Sequence, residues 1–416
     1  MKAIILAIGD ELLIGQTLNT NSHYISTILT AIGIEIVEHR SIKDDRHSIT
    51  EALHHAGKNA ELVLITGGLG PTKDDITKKV VVDYFDTSLL YYPEVSQHIQ
   101  KLFADMGKVM PAINEEQAHL PAAATILMNA VGTAMGMLLQ KENTTYVFTP
   151  GIPSETQHLY TTKIIPYLKS NFSLPFIYHH TVLLQGISES SLAEKIAVWE
   201  DSLATGYTLA YLPNYGIQKL RISATGNPAT ILPYVHSKVS ELYTFVGNYI
   251  LAEEDIPLAT IVRNLLQKNK KTLAVVETIT GGKITSLLLE QETDYDFFRG
   301  GIIANNNAIK TNLLGVPSDI LDTYSPVSEE ATKELAIRGK KLLQSDYCMA
   351  ISGTTNPADT TQKDTLGLTY IAIATPSGVV CQGFTFGKQR SKNIHFATYA
   401  ALACFIKQLK MEEEEV

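Results

Sequence analysis

A short apolar run near the start of the chain sets the first limit on the fold. Ala3–Ile8 is uninterrupted and stops at the polar sequence Gly9-Asp10-Glu11. Such a run is typical of a strand buried on both faces of a parallel sheet. A helical pattern follows from Asn21 to Ile32, with further strand patterns at Glu35–Glu38 and Leu62–Thr66. This alternation of strands and helices predicts an α/β domain with a parallel sheet.

The length predicts more than one domain. The chain has 416 residues, and domains average ~100–200 residues. We expect a parallel-sheet domain at 1–170, a small α+β domain at 171–254 and a second α/β domain at 255–416. The acidic sequence Glu253-Glu254-Asp255, followed by Pro257, is a candidate linker before the third domain. The closing acidic run, Glu412–Glu415, is expected to be a solvated tail.

The net charge of the chain argues against polyanionic binding partners. There are 34 Lys and Arg against 43 Asp and Glu, a formal net charge of −9, so the mean field repels nucleic acids and anionic membranes. The first apolar run is shorter than the ~7–15 residues of a signal peptide or the ~20 of a spanning helix. Three widely spaced cysteines suit a reducing compartment. We expect a cytoplasmic protein without a nucleic-acid or membrane partner.

Two polar segments of the first domain follow predicted strands and should meet at one sheet edge. They are GDELLIGQTLNTNS from position 9 and TGGLGPTKDDIT from position 66. Glycines in the second segment let backbone N–H groups face an anion, and Thr72 can cap the following helix. Asp74 and Asp75 can hold a divalent cation that bridges to phosphate. The expected ligand contacts are Gly9, Asn19, Asn21, Ser22, Thr66, Gly67, Gly68, Gly70 and Thr72.

An ordinary tight turn with an acidic helix start is the structural alternative for the second segment. Neither segment is a Walker A loop or a GxGxxG turn, so a conventional nucleotide triphosphatase or a nicotinamide-dependent dehydrogenase lacks support.

The two segments resemble the molybdopterin-binding-type domain at the front of CinA-family proteins. Further pieces fall in the family's order: Asn114–Ala118, Asn129 with Gly132-Thr133-Ala134, and Pro150–Glu155. Met135 stands where the family usually has Pro. The middle segment Gly186–Ser190, with Tyr211-Leu212-Pro213, resembles the family's small KH-like domain, although it has no evident Gly-x-x-Gly clamp for nucleic acid.

The resemblance implies metal-dependent hydrolysis of the pyrophosphate bond of ADP-ribose. Asp74 and Asp75 would hold the divalent metal ion, and Asp10 or Glu11 would orient the metal or the attacking water. A monovalent cation is a further candidate cofactor, and a homodimer is the implied assembly. The alternative is a non-catalytic protein that binds or senses a nucleotide or a pterin.

The third domain resembles the CinA C-terminal domain, a nicotinamide mononucleotide deamidase in the family. The similarity rests on Glu277–Gly282, Arg299-Gly300-Gly301, Asn305–Lys310, Pro326–Ala331 and Gly387–Arg390. It implies Thr278, at the position of the family's Ser nucleophile, and Lys310 as catalytic residues. The implied ligand contacts are Thr280, Gly281, Gly282, Asn305 and Arg390.

Two of the departures from the family in that domain fall at its catalytic positions. Thr278 replaces a Ser, and its extra methyl group crowds the attack. Asn305 replaces a Tyr and cannot exchange a phenolic proton. Three possibilities follow: a working deamidase, a nucleotide-binding domain with slow or no turnover, or a structural or dimerising domain.

Overall fold

The computed structural model describes residues 1–72, 76–290, 294–354 and 366–414. It divides into two compact units. The first comprises Met1–Tyr178 with Thr225–Pro228, and the second comprises His179–Ala224 with Ala229–Val416. The division into three domains at 170 and 254 stays a prediction.

The first unit is built on a six-stranded sheet with the order β2-β1-β3-β8-β7-β6 and a small ribbon of β4 and β5. Strands β2, β1, β3 and β8 are parallel, whereas β7 and β6 are antiparallel additions at one side. The strands are β1 (Lys2–Ile8), β2 (Glu35–Ile42), β3 (Leu62–Thr66), β4 (Leu89–Tyr91), β5 (His119–Pro121), β6 (Thr125–Leu127), β7 (Gly136–Lys141) and β8 (Thr144–Thr149). The predicted parallel sheet is confirmed, and its antiparallel side was not anticipated.

Helices cover both faces of this sheet. Ile25 and Leu29 share one apolar core with Ala3 and Ile5, while Ile4 and Leu6 pack on the other side with Leu53. Neighbouring residues of β1 thus point to opposite faces, and both faces are buried, as a continuous apolar run requires. The helices are α1 (Asp10–Leu13), α2 (Thr20–Thr30), α3 (Arg46–Asn59), α4 (Thr77–Tyr84), α5 (Pro93–Asp105), α6 (Pro153–Leu159) and α7 (Ile165–Asn171), with a 3-10 segment at Ala112–Ala118 and a π turn at Tyr160–Ile164.

The second unit begins with a four-stranded sheet of order β10-β11-β9-β12. Strands β10 and β11 form a long antiparallel hairpin whose tip is Tyr215-Gly216. These elements are β9 (Ile177–Gln185), α8 (Glu189–Asp201), β10 (Tyr207–Asn214), β11 (Ile217–Thr225), α9 (Pro228–Val246) and β12 (Ile250–Ala252). The candidate linker is tied into this unit, because Tyr243 donates a hydrogen bond to Glu253 and Lys219 pairs with Asp255.

The same unit contains a five-stranded sheet of order β14-β13-β15-β16-β17. Strands β14, β13 and β15 are parallel, and β16 and β17 are antiparallel. The elements are α10 (Leu258–Lys268), β13 (Leu273–Glu277), α11 (Lys283–Leu289), β14 (Phe298–Ile303), a π turn at Ile309–Leu313, α12 (Ser318–Tyr324), α13 (Glu329–Leu343), β15 (Tyr347–Gly353), β16 (Leu368–Ala374), β17 (Val379–Thr385) and α14 (Arg390–Glu414). The fold is mixed α/β, as predicted.

The expectation of a solvated acidic tail is wrong for its first residues. Helix α14 continues through Glu412 and Glu413. Tyr347 donates a hydrogen bond to Glu412, while Lys268 and Asn269 donate to Glu413. These contacts attach the end of α14 to the start of β15 and the end of α10; Glu415 lies outside the described residues. Along the described chain, no helix combines the length and apolar character that a bilayer crossing requires.

Candidate functional site

The first candidate site lies at the carboxyl edge of the six-stranded sheet. Register pairs Ala7 with Thr66 and Thr66 with Thr149, so β1, β3 and β8 end at nearly the same level. The segments that begin with Gly9 and Gly67 therefore meet there, together with the turn that follows β8. Parallel α/β sheets bind ligands at this edge.

Asn21 joins the two sequence-predicted segments. Its side-chain nitrogen donates to Thr66 Oγ1 at 3.0 Å and to the Gly151 carbonyl at 2.8 Å. Asn21 and Thr66 are buried. Thr66 in turn donates to the Pro150 carbonyl at 2.8 Å. Asn21 and Thr66, which were expected to contact a ligand, therefore bond to each other and to the turn after β8. These hydrogen bonds satisfy their buried polar groups.

The glycine turn after β3 requires its first glycine. Gly67 has φ 106°, and a Cβ added there would overlap the carbonyl oxygen of Ile8. A side chain is therefore excluded by both backbone conformation and space. Its amide donates to the Thr149 carbonyl at 3.0 Å, so this N–H is not available to an anion. Gly68 packs over the hydroxyl of Thr77, the first residue of α4.

Two buried hydroxyl groups at this site lack a hydrogen-bond partner within the described part of the chain. They belong to Ser22, in the first turn of α2, and to Thr77. Both residues are buried. Because an unsatisfied buried hydroxyl is unfavourable, such groups point to a ligand or an ordered water.

Carboxylates at the same edge can provide charge. Asp10 and Glu11 form the exposed start of α1, and Asn19 caps α2 by accepting from the Ser22 amide at 3.0 Å. Asp44, which was not among the predicted site residues, follows β2, and its Oδ2 lies 3.4 Å from the position of a Cβ built on Gly68. Its neighbour Asp45 caps α3 by accepting from the Ser48 amide at 2.9 Å, a common role for an aspartate before a helix.

One predicted role is wrong and two predicted ligands cannot be placed. Thr72 is exposed and does not cap α4, which begins at Thr77 after Ile76. Gly70 is half-buried in the same loop. Asp74 and Asp75, the predicted metal ligands, lie outside the described residues. Within the described ranges, no three His, Cys, Asp or Glu side chains form a group that could hold a metal ion.

The second candidate site lies at the carboxyl end of β13 and is organised by Glu277. This side chain is fully buried. Its Oε2 accepts from the amides of Gly282 and Ile284 at 3.1 Å each, and its Oε1 accepts from the Thr285 amide at 2.9 Å and hydroxyl at 2.7 Å. The carboxylate therefore satisfies the free N–H groups at the start of α11. With its oxygens so occupied, Glu277 is an anchor for the loop.

Three polar groups around this loop are without partners among the residues that the structure describes. The hydroxyls of Thr278 and Thr280 are buried and make no hydrogen bond. Lys310, in the π turn after β14, is 5% exposed and pairs with no acid. Burial lowers the pKa of its ammonium group. Gly281 and Gly282 complete the loop, while Asn305 and Arg390 are exposed.

The hairpin of β10 and β11 contacts α14 beside this site. Tyr215, at the hairpin tip, stacks on His395. The Nε2 atom of His395 lies 3.4 Å from Nζ of Lys283, the residue that follows Gly282. No local sequence pattern indicates the stacking of Tyr215 on His395, because the two residues are 180 positions apart in the chain.

Comparison with known proteins agrees with this architecture. Residues 4–170 match a family model described as a "probable molybdopterin binding domain", and residues 255–409 match the "CinA C-terminal domain". A CinA-like protein of Flavobacterium psychrophilum is 38% identical over 412 residues, covering 98% of this chain and 99% of the relative. A CinA-like protein of Cytophaga hutchinsonii is 36% identical over 409 residues, covering 98% of each.

A solved structure of a CinA protein of unknown function from Thermoplasma acidophilum also matches. It is 28% identical, with a TM-score of 0.37, and the match covers 40% of this chain and 96% of that one.

The fold and the two family-model matches define a protein with a molybdopterin-binding-type α/β domain ahead of a second α/β domain. More particularly, the chain belongs to the CinA family, as full-length relatives above 30% identity show.

Proposed function

We propose that the first domain hydrolyses the pyrophosphate bond of ADP-ribose with the help of a divalent metal ion. Water would attack one phosphorus atom and the bridging P–O bond would break, giving AMP and ribose 5-phosphate. The observation that carries this proposal is that the unpartnered hydroxyls of Ser22 and Thr77 lie at a sheet edge that also carries Asp10, Glu11 and Asp44.

The side chains fit this chemistry. Carboxylate oxygens are the ligands that hard divalent cations prefer. Asp10, Glu11 and Asp44 would supply only part of such a ligand set, because the described carboxylates do not form a three-residue metal group. A bound divalent ion would neutralise phosphate charge. The hydroxyls of Ser22 and Thr77 can donate to phosphate oxygens, and a carboxylate within reach can accept the proton of the attacking water. Asp74 and Asp75 are proposed as further metal ligands from the sequence alone.

Turnover of ADP-ribose tests the proposal directly. AMP formation is measured with Mg²⁺, with Mn²⁺ and with a chelator. Asp44→Asn is compared with Asp45→Asn, whose side chain keeps the helix cap. We expect about a hundredfold or greater loss for Asp44→Asn and little change for Asp45→Asn. Equal activity of both variants would remove Asp44 from the site. If no AMP forms under any condition, the non-catalytic alternative gains support, and thermal stabilisation by ADP-ribose would then identify a binding protein.

A second candidate function is favoured by Lys310. We propose that the third domain binds nicotinamide mononucleotide and releases ammonia slowly, with Thr278 as nucleophile and Lys310 as base. Burial lowers the pKa of Lys310, which favours the neutral amine that can accept a proton. Thr278→Ser removes the crowding methyl group and should raise ammonia release, whereas Lys310→Met should abolish it. No release from either the wild type or Thr278→Ser would leave a binding or structural role, and the two are separated by a thermal-shift assay with the mononucleotide.

The assembly is also a proposal. The family resemblance favours a homodimer, which sedimentation of the full chain would test.

A further inference from the structure

A buried carboxyl group lies close to the first site without belonging to the predicted set. Glu155, in the first turn of α6, is 7% exposed. Glutamate is seldom buried to this extent unless it is paired. Here its Oε2 accepts a 2.7 Å hydrogen bond from the side-chain amide of Asn129, which is itself fully buried.

The same carboxyl group packs against the backbone of the segment between β6 and β7. A Cβ added at Gly132 would overlap the carboxyl group of Glu155, so the absence of a side chain allows this close approach. We call residues 129–134 the clamp loop. Asn129 also fastens the loop from inside, because its Oδ1 accepts from the Val131 amide at 3.2 Å and its Nδ2 donates to the Ala134 carbonyl at 3.0 Å.

The clamp loop lies at the ligand edge of the sheet. Met137 pairs with Phe148, so the residues before β7 lie beside the carboxyl end of β8. The residue after Glu155 connects with the first site: Thr156 Oγ1 donates to the Pro150 carbonyl at 2.6 Å, the same oxygen that accepts from Thr66. Helix α6 and the first site therefore share one backbone acceptor.

We infer that Glu155 is a positioning residue for the first site: through Asn129 and Gly132 it fixes the clamp loop as a wall beside the bound nucleotide. The inference rests on the proposed function of the first domain. A loop that is ordered before binding leaves less conformational entropy to lose when the ligand arrives. Loss of the clamp should therefore weaken binding more than it slows the chemical step.

Three variants of the full chain separate this role from a general loss of stability. Glu155→Ala removes the acceptor of Asn129, whereas Glu155→Gln keeps an amide oxygen that can accept the same hydrogen bond. Glu94→Ala is the matched control, because Glu94 is an exposed glutamate in the first turn of α5. For each variant we measure kcat and KM for ADP-ribose with Mg²⁺, and hydrogen exchange of the 129–134 amides without ligand.

The expected result is specific to Glu155→Ala. Its KM should rise about tenfold with kcat within about twofold, and exchange in the clamp loop should be at least about tenfold faster. Glu155→Gln should restore both quantities, and Glu94→Ala should change neither. Unchanged exchange in Glu155→Ala, a loss of kcat without a change in KM, or a Gln variant as impaired as the Ala variant would overturn the inference.

The role of Glu155 can be tested even if the proposed function fails or if Glu155→Ala does not fold. If the wild type does not hydrolyse ADP-ribose, the proposed function fails, but the exchange measurement needs no substrate and still decides whether Glu155 fixes the loop. If Glu155→Ala does not fold, Gly132→Ala disrupts the same contact from the other side and should accelerate loop exchange. Wild-type exchange in Gly132→Ala would then count against the clamp.

Discussion

Tyr215 stacks on His395 with ring centroids 4.4 Å apart and planes 13° from parallel. Tyr215 has φ 43°, a left-handed conformation that an ordinary side chain seldom adopts. The ring also lies near Phe396 and Tyr399, with centroids 6.0 Å and 5.9 Å away. Aromatic packing on α14 therefore offsets the backbone strain at the hairpin tip.

Substitution of Tyr215 tests this balance. Tyr215→Gly relieves backbone strain of about 1 kcal/mol but loses several ring contacts of about 0.5–1.5 kcal/mol each, so we expect a net destabilisation near 1 kcal/mol. Tyr215→Phe keeps the ring and should match the wild type. The midpoint of urea unfolding measures both. A glycine variant more stable than the wild type would show that the stack contributes little.

Loss of the Glu277 carboxylate should destabilise the second unit strongly. Glu277→Gln replaces one acceptor oxygen by a donor that faces amide N–H groups, so two donors near the start of α11 lose their partner. Each unsatisfied buried group costs about 1–3 kcal/mol, and we expect a total on the order of 3 kcal/mol. Chemical denaturation checks this, with the exposed Glu290→Gln on the end of the same helix as control. Equal effects of the two changes would contradict the anchoring role.

The stability of the chain should depend on pH through Lys310. Burial lowers its pKa in the folded state, so the unfolded chain binds more protons between that lowered pKa and the usual value. The free energy of unfolding should therefore rise with pH across that window. Lys310→Met removes this contribution and should be more stable than the wild type at neutral pH. Unfolding measured from pH 7 to 10.5 tests both statements, and the exposed Lys341→Met should leave the pH slope unchanged.

Removal of the Asn21 amide should weaken the first unit. Asn21→Ala removes the donor to the buried Thr66 hydroxyl and to the part-buried Gly151 carbonyl, and should cost about 1–3 kcal/mol. Asn59→Ala, which removes an exposed bond to the His55 carbonyl, should stay within about 0.5 kcal/mol of the wild type. Urea unfolding of both variants measures the difference. If Asn59→Ala proves as damaging as Asn21→Ala, burial does not determine the effect.

The sequence predicted those parts of the fold that local pattern controls. Strands β1 and β3 are continuous apolar runs in the sequence because both of their faces are buried. Their predicted first and last residues agree with the structure to within one residue. The antiparallel β6 and β7 were missed, since β7 becomes a strand by pairing with β8 and the short β6 by pairing with β7. Helix α14 was also missed: its apolar residues contact several elements, so one periodic face does not stand out.

Some residues of the candidate sites could be predicted from local sequence patterns and others could not. Asn21 and Thr66 lie in segments next to predicted strand ends, where side chains of adjacent strands must meet. Asp44 carries no such signal, because an aspartate beside Asp45 looks like a second capping residue. The partnership of Glu155 with Asn129 depends on side chains 26 positions apart, and local periodicity contains no information on that distance.

The hydrogen bonds of Glu277 have a consequence for the neighbouring residue, Thr278. Its carboxylate closes the joint between β13 and α11 with no contribution from the hydroxyl at 278. A substitution at 278 therefore leaves the four hydrogen bonds of Glu277 to the start of α11 in place. The structure of this loop and the hydroxyl that it presents at 278 thus depend on different residues.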